Sequence, residues 1–271
     1  MRLVNIKPKS GLRILIGAIP IILLLIAYAL MSAARAEADP NDKVLPTFLA
    51  MIRAAVRLFT ETDPRTGEIT ALADTWASLW RLGAGVLIAT LSTLLLGIAL
   101  GVVPLVRAAL GPVITIIAVI PPIAVLPILF IALGLGEASK IALIAIGIAP
   151  YMVRDLAGYV AALPAEQFLK AQTLGASSWQ LTLRVALPQA LPRLIETLRL
   201  SMGPAWVFLI SAEAIAADVG LGYRVFLVRR YLAMDIILPY VAWISALAIL
   251  TDWALLTLSR KSFPWAHGDG R

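Results

Sequence analysis

Residues 164–192 read PAEQFLKAQTLGASSWQLTLRVALPQALP, a polar, amphipathic island of 29 residues between long apolar segments. Pro164 can occupy a first helical turn, Glu166 suits the positive end of that turn, and Phe168, Ala171 and Leu174 recur every three residues. That spacing predicts one short amphipathic helix, for which Gly175 supplies the stop. Ser177, with Gln180 three residues on, forms a capping box for a second short helix through Trp179, Leu181 and Val185. That helix is expected to end where Pro188 opens the next apolar run. The island is thus read as a helix, turn, helix element held outside a bilayer and shaped to lie in a groove of another protein.

The surroundings justify the bilayer. Of 271 residues, 61% are hydrophobic and 14% charged, whereas soluble domains run to about 45–50% apolar and about 25% charged. Mean hydropathy is +0.91. The net charge of +7 is dispersed at the ends of apolar segments, so no basic cluster forms and nucleic acid is excluded as a partner. Absence of cysteine rules out disulfides and thiolate metal sites, and the single histidine, His267, lies in the C-terminal tail, which leaves no His-based metal site.

Six spans are expected, one all-α polytopic domain without internal repeats. The first, 14–31, is 18 charge-free residues behind Arg2, Lys7, Lys9 and Arg13, long enough for a core of about 30 Å at about 1.5 Å per residue. Ala34-Arg35-Ala36 imitates a signal-peptide cleavage site, but the run exceeds the usual apolar region of about 7–15 residues, so a retained span is expected. An extracytoplasmic segment, 32–73, holds an amphipathic helix over 46–59 that would lie on the outer leaflet. A five-span core, 74–259, follows: about 76–103 with Trp76 and Trp80 as interface anchors, 108–136, 139–163, 194–217 and 236–258. The 29 charge-free residues of 108–136 contain Pro121, Pro122 and Pro127, each lacking a backbone donor, so a kinked or broken helix is expected there. In the fourth span only 13 apolar residues precede Arg154 and Asp155, charges that must be used in the protein interior or crossed. Gly83, Gly85, Gly97 and Gly101 suit close helix packing.

With 1–13 and 260–271 inside, thirteen Lys and Arg face the inner side and ten the outer. The four basic residues before the first span give the clearer cue and place the island in the cytoplasm.

No Lys follows a Gly, so a nucleotide-binding P-loop is absent and ATP must be hydrolysed by another subunit. Neither a Gly-x-Ser-x-Gly elbow nor a His-Glu-x-x-His helix occurs, so catalysis and cofactors are not expected. Charged residues inside spans face the protein interior or a water-filled path. Glu213 is therefore the leading candidate for a substrate path or outer gate, with Trp206, Ser211 and Arg224 beside it; alternatively it partners Arg224, Arg229 or Arg230. Asp252 is read as a structural contact.

The island resembles the cytoplasmic loop of ABC importer permeases, whose signature is Glu-Ala-Ala, three residues, Gly, nine residues, Ile, one residue, Leu-Pro. Ala171, Gly175, Val185, Leu187 and Pro188 fall at matching spacing, with Lys170 read in place of the Glu and Gln172 in place of the second Ala. The resemblance extends through Val44-Leu45-Pro46, Pro121-Pro122 to Pro127, Gly134-Leu135-Gly136-Glu137 with Lys140, Ala212-Glu213 and Gly220-Leu221-Gly222, and is to the nitrate, sulfonate and taurine branch of that family, over roughly 41–266. It implies a dimer of this chain on two cytoplasmic ABC ATPases, served by an extracytoplasmic substrate-binding protein and embedded in lipid of a bacterial inner membrane. Glu166, Lys170, Ala171, Gln172, Gly175, Ala176, Val185, Leu187 and Pro188 would carry the coupling. Substrates implied are taurine, alkanesulfonates, nitrate or related nitrogen compounds. Residues 222–235 also resemble permeases associated with urea or guanidine carboxylase systems, and a guanidinium cation would suit Glu213. The rival classes are an ATPase-independent secondary transporter and a non-transporting anchor.

Overall fold

The structure, a computed structural model, describes residues 10–38, 43–62 and 67–266. Among these residues every regular element is helical, apart from one isolated antiparallel bridge between Thr62 and Ile69. The basic flank at Arg2, Lys7 and Lys9 and the tail His267 lie outside the described residues.

Helix α1 (Ser10–Ala38) continues beyond the predicted apolar run at both ends, with its large apolar side chains exposed along its length. Its second half is tied to the segment that follows. The Tyr28 hydroxyl donates to the Pro46 carbonyl at 2.7 Å, Ser32 donates to Leu45 O at 3.3 Å, and the Tyr28 ring meets Phe48 at 5.3 Å. Helix α2 (Phe48–Thr60) starts at Thr47, whose side chain accepts from the Ala50 amide. One face of α2 packs on α11, with Ala54 buried and Phe59 edge-on to Trp243 at 5.1 Å, while Leu49, Ile52 and Val56 stay exposed on it.

The bundle is organised around α3 (Thr70–Val102) and α6 (Glu137–Ala161). Gly85, Ala89, Thr93, Gly97 and Gly101 recur every fourth residue and are all buried, which draws a stripe of small side chains along one face of α3. A Cβ at Gly85 would stand 2.7 Å from Ile144 Cβ, at Gly97 2.9 Å from Leu156 Cδ2, and at Gly101 2.5 Å from Val160 Cβ. The close approach of the two helices therefore depends on these positions. Gly83 is not one of them, since nothing lies within 4 Å of its Cβ direction.

Arg107 closes the end of α3 by donating from Nε to Leu100 O at 2.7 Å and from Nη2 to Gly101 O. The expected break of the proline-rich span falls at Ile120–Pro121, where α4 (Pro104–Val119) turns by 99° into α5 (Pro122–Leu133). Among the described residues five helices are long and apolar enough to cross a membrane, and the bent pair, counted as one span, makes a sixth. The pair links the end of α3, beside the island, to the start of α6 at the opposite end of the bundle, as a single broken span would.

Helices α7 (Ala165–Thr173) and α8 (Ser178–Leu181) form the island. Helix α9 (Leu187–Ala216) then runs back along α6, α10 (Leu221–Arg229) is a short cap, and α11 (Met234–Ser262) closes the bundle. The second island helix does not end at Pro188 as expected. It merges with α9 through a π segment, Thr182–Ala186, in which the Leu187 amide bonds to Thr182 O. Widening the turn lets the chain pass a proline, which lacks an amide for the regular ladder, without stopping the helix.

Candidate functional site

The first site is the island. Gly175 has φ +84°, its amide bonds to Gln172 O at 2.9 Å, and the Ala176 amide bonds to Ala171 O at 3.0 Å. These are the paired bonds of a Schellman stop, and a residue with a Cβ would be strained at its centre. Two residues later the capping box forms: Ser177 Oγ accepts from the Gln180 amide at 3.3 Å, and Gln180 Oε1 accepts from the Ser177 amide at 2.9 Å. The turn is thus rigid on both sides. Phe168 packs against the core, and Gln189 Nε2 donates to Gln167 Oε1 at 2.9 Å, tying α7 to the first turn of α9. Meanwhile Leu169, Leu174 and Trp179 stand exposed, Leu174 to 88%.

Glu166, Lys170, Gln172 and Gly175 are exposed, Ala171 and Ala176 half-buried on the same element, and Val185, Leu187 and Pro188 fall in the π segment and the start of α9. Counting back from Gly175 corrects the register of the signature. Three spacer residues put its triplet at Leu169-Lys170-Ala171, so Leu169 stands for the Glu, Lys170 for the first Ala, and Gln172 belongs to the spacer.

The second site lies at the other end, around Glu213. Its side chain is fully buried and accepts from Ser78 Oγ at 2.8 and 2.9 Å, from Arg81 Nη1 at 2.7 Å and from the Gly222 amide at 2.8 Å. Arg81 also forks onto Glu137, with Nε 2.5 Å from Oε2 and Nη2 2.9 Å from Oε1, and donates to Val219 O at 2.7 Å. Lys140 reaches the same Glu137 at 3.1 Å. One turn away, Asp74 accepts from the Gly220 amide at 3.0 Å, from Arg224 Nε at 2.8 Å and from the Tyr240 hydroxyl at 2.9 Å.

Three acids and three bases therefore neutralise one another, and α3, α6, α9, α10 and α11 are stitched at one end. Gly220, at φ +142°, threads between them, and a Cβ there would stand 2.6 Å from Glu213 Cδ and 2.8 Å from Arg81 Nη1.

The alternative pairing of Glu213 with Arg224, Arg229 or Arg230 is corrected: its cation is Arg81, while Arg224 serves Asp74. Trp206 is buried with its indole N–H unpartnered, and Ser211 bonds back to Val207 O at 2.7 Å on its own helix. Asp74, Ser78 and Arg81 were missed because the apolar run begins at Trp76 and hides the polar face. Their spacing of four and three continues to Gly85 on one side of α3 and carried the signal.

Further ion pairs lie outside the clasp, centred on Arg193, which reaches Glu196 at 3.1 Å as well as Asp155, and on Arg199. Asp155 receives both arms of Arg193 at 2.8 and 2.6 Å and the Thr197 hydroxyl, which uses the charge expected inside the fourth span. Asp252 pairs with Arg199 at 2.9 and 3.0 Å across α9 and α11.

A family model described as the binding-protein-dependent transport system inner membrane component matches residues 73–263. The taurine transport system permease protein TauC of Escherichia coli (strain K12) is 41% identical over 194 residues, covering 71% of this chain and 70% of that protein. The bicarbonate transport system permease protein CmpB of a Synechocystis species is 28% identical over 218 residues, covering 75% and 78%. In solved structures, the inward-facing MetNI methionine ABC transporter shares the fold with a TM-score of 0.62 at 18% identity, over 71% of this chain and 95% of that one. The chain belongs to the binding-protein-dependent transport system inner membrane component family and is a multi-pass inner-membrane permease subunit of an ABC importer, with ATP hydrolysed on a separate ATPase.

Proposed function

We propose that two copies of this chain form the membrane path of an importer for a small organic sulfonate such as taurine, fed by an extracytoplasmic binding protein and driven by a cytoplasmic ATPase dimer. The observation carrying the coupling half of this reading is the island, a rigid, capped turn that exposes Leu169, Leu174 and Trp179 while Phe168 and Gln167 bind it to the bundle. Large apolar side chains on a rigid polar projection suit a protein groove. Closure of the ATPases would pull on α7, and the tie to α9 would pass that movement into the spans as a rigid-body tilt. Within this reading Glu166, Lys170, Ala171, Gln172, Gly175 and Ala176 belong to the docking turn, and Val185, Leu187 and Pro188 to its connection with α9.

The similarity to TauC supports the sulfonate class. A cationic guanidinium substrate has less support, because the carboxylate that would receive it, Glu213, is already neutralised by Arg81. We assign Glu213 and Arg224 to a clasp at the outer gate, with Trp206 and Ser211 further along the same helix toward the path. Reconstitution of the permease with its ATPase in nanodiscs tests the function. Purified binding proteins loaded with taurine, an alkanesulfonate or bicarbonate are added in turn, and ATP hydrolysis is measured. Stimulation by the taurine or alkanesulfonate form is expected, and stimulation by the bicarbonate form alone would overturn the substrate class.

A further inference from the structure

The turn between α10 and α11 exposes four consecutive residues, Arg229, Arg230, Tyr231 and Leu232, with Tyr231 69% and Leu232 62% exposed. It stands at the clasp end of the bundle, remote from the island, since α10 begins where Gly220 and Gly222 bond to Asp74 and Glu213. Neither guanidinium has a carboxylate partner among the described residues; Arg229 lies over the Phe226 ring at 5.0 Å.

The backbone under these side chains is held firmly. Leu232 has φ +53°, a conformation that a bulky residue rarely adopts and that persists when its surroundings impose it. The imposing bonds are Leu232 N to Arg229 O at 3.1 Å, Ala233 N to Val228 O at 3.4 Å, and Met234 N to Lys43 O at 3.2 Å, the last of which anchors the turn to the segment before α2.

We infer that this tip is the docking point for an acidic surface of the extracytoplasmic binding protein, a step that rests on the importer reading above. Three features support that occupant. Arginine and tyrosine, exposed here side by side, are among the residue types enriched at the hot spots of protein interfaces. A pre-strained, anchored turn has little left to order on binding. Two exposed positive charges without a carboxylate partner among the described residues favour a negative partner and steer its approach.

The test measures ATP hydrolysis by the reconstituted transporter against the concentration of the binding protein that stimulates the wild type. For R229E/R230E the half-stimulating concentration should rise about tenfold or more, and R229K/R230K should recover most of that loss. Wild-type stimulation should weaken as salt is raised, because exposed charge pairs are screened. Curves for R229E/R230E that superimpose on the wild type overturn the inference. So does a shift seen only in phosphatidylglycerol nanodiscs and not in phosphatidylcholine ones, which would assign the arginines to lipid headgroups. A wild type that no binding protein stimulates overturns the importer reading itself.

Discussion

Arg81 is the cation that joins two carboxylates of the clasp, and it does so while 5% exposed. It satisfies one carboxylate that is fully buried and another that is half open, with side-chain exposures of 0% for Glu213 and 50% for Glu137. Removing it has unequal consequences. Glu137 can turn to water and keeps Lys140, whereas Glu213 keeps only neutral donors. An uncompensated buried charge of this kind costs about 3–5 kcal/mol, while exchange of a whole pair for apolar side chains is often close to neutral. Arg81→Met should therefore lower thermal stability in detergent far more than the double change R81M/E213L. A double variant as unstable as the single would show that Glu137, not Glu213, depends on Arg81.

At the scale of the element, the island was legible in the sequence because its signals are local. Gly175, the Ser177 and Gln180 box and the polar flanks all act within a few residues of one another, and helix caps are formed by near neighbours. The π segment was not legible, since nothing in Thr182–Ala186 distinguishes a widened turn from a regular one until the helix is seen to continue past Pro188. The clasp was legible only in part, because its partners are long-range. Asp74 and the Gly220 amide are 146 residues apart in the chain, and Ser78 and Glu213 are 135 apart. Apolar periodicity located the spans but could not pair their charges. The locality of the island also makes it separable by mutation. A side chain at Gly175 forces a φ of +84° that costs about 1–2 kcal/mol, on an exposed turn that buries little. Lys170→Glu combined with Gly175→Val should leave the amount of permease in the membrane fraction unchanged and abolish binding-protein-stimulated ATP hydrolysis. Full stimulation would remove the docking role of α7.

For the whole molecule, the two sites stand at opposite ends of the bundle and differ in character. Internal charges at the clasp end are neutralised in pairs, and the island end presents exposed apolar side chains on a rigid turn. Helices α3, α6 and α9 span the distance between them, α3 and α6 in close contact along the small-residue stripe, and in the proposed mechanism these packed helices act as the lever that links the two ends. Such a lever works only if the ends lie on opposite sides of the membrane, with the island where an ATPase can reach it. The chain contains no cysteine, so single cysteines can report each end without background. Leu174→Cys samples the exposed island turn, and Asp218→Cys samples the exposed loop after α9. A membrane-impermeant maleimide added to spheroplasts should label Asp218→Cys and leave Leu174→Cys unmodified, whereas inverted vesicles should give the opposite pattern. Labelling of Leu174→Cys in intact spheroplasts would place the island outside, and would sink the ATPase coupling of α7 together with the extracytoplasmic docking of Arg229 and Arg230.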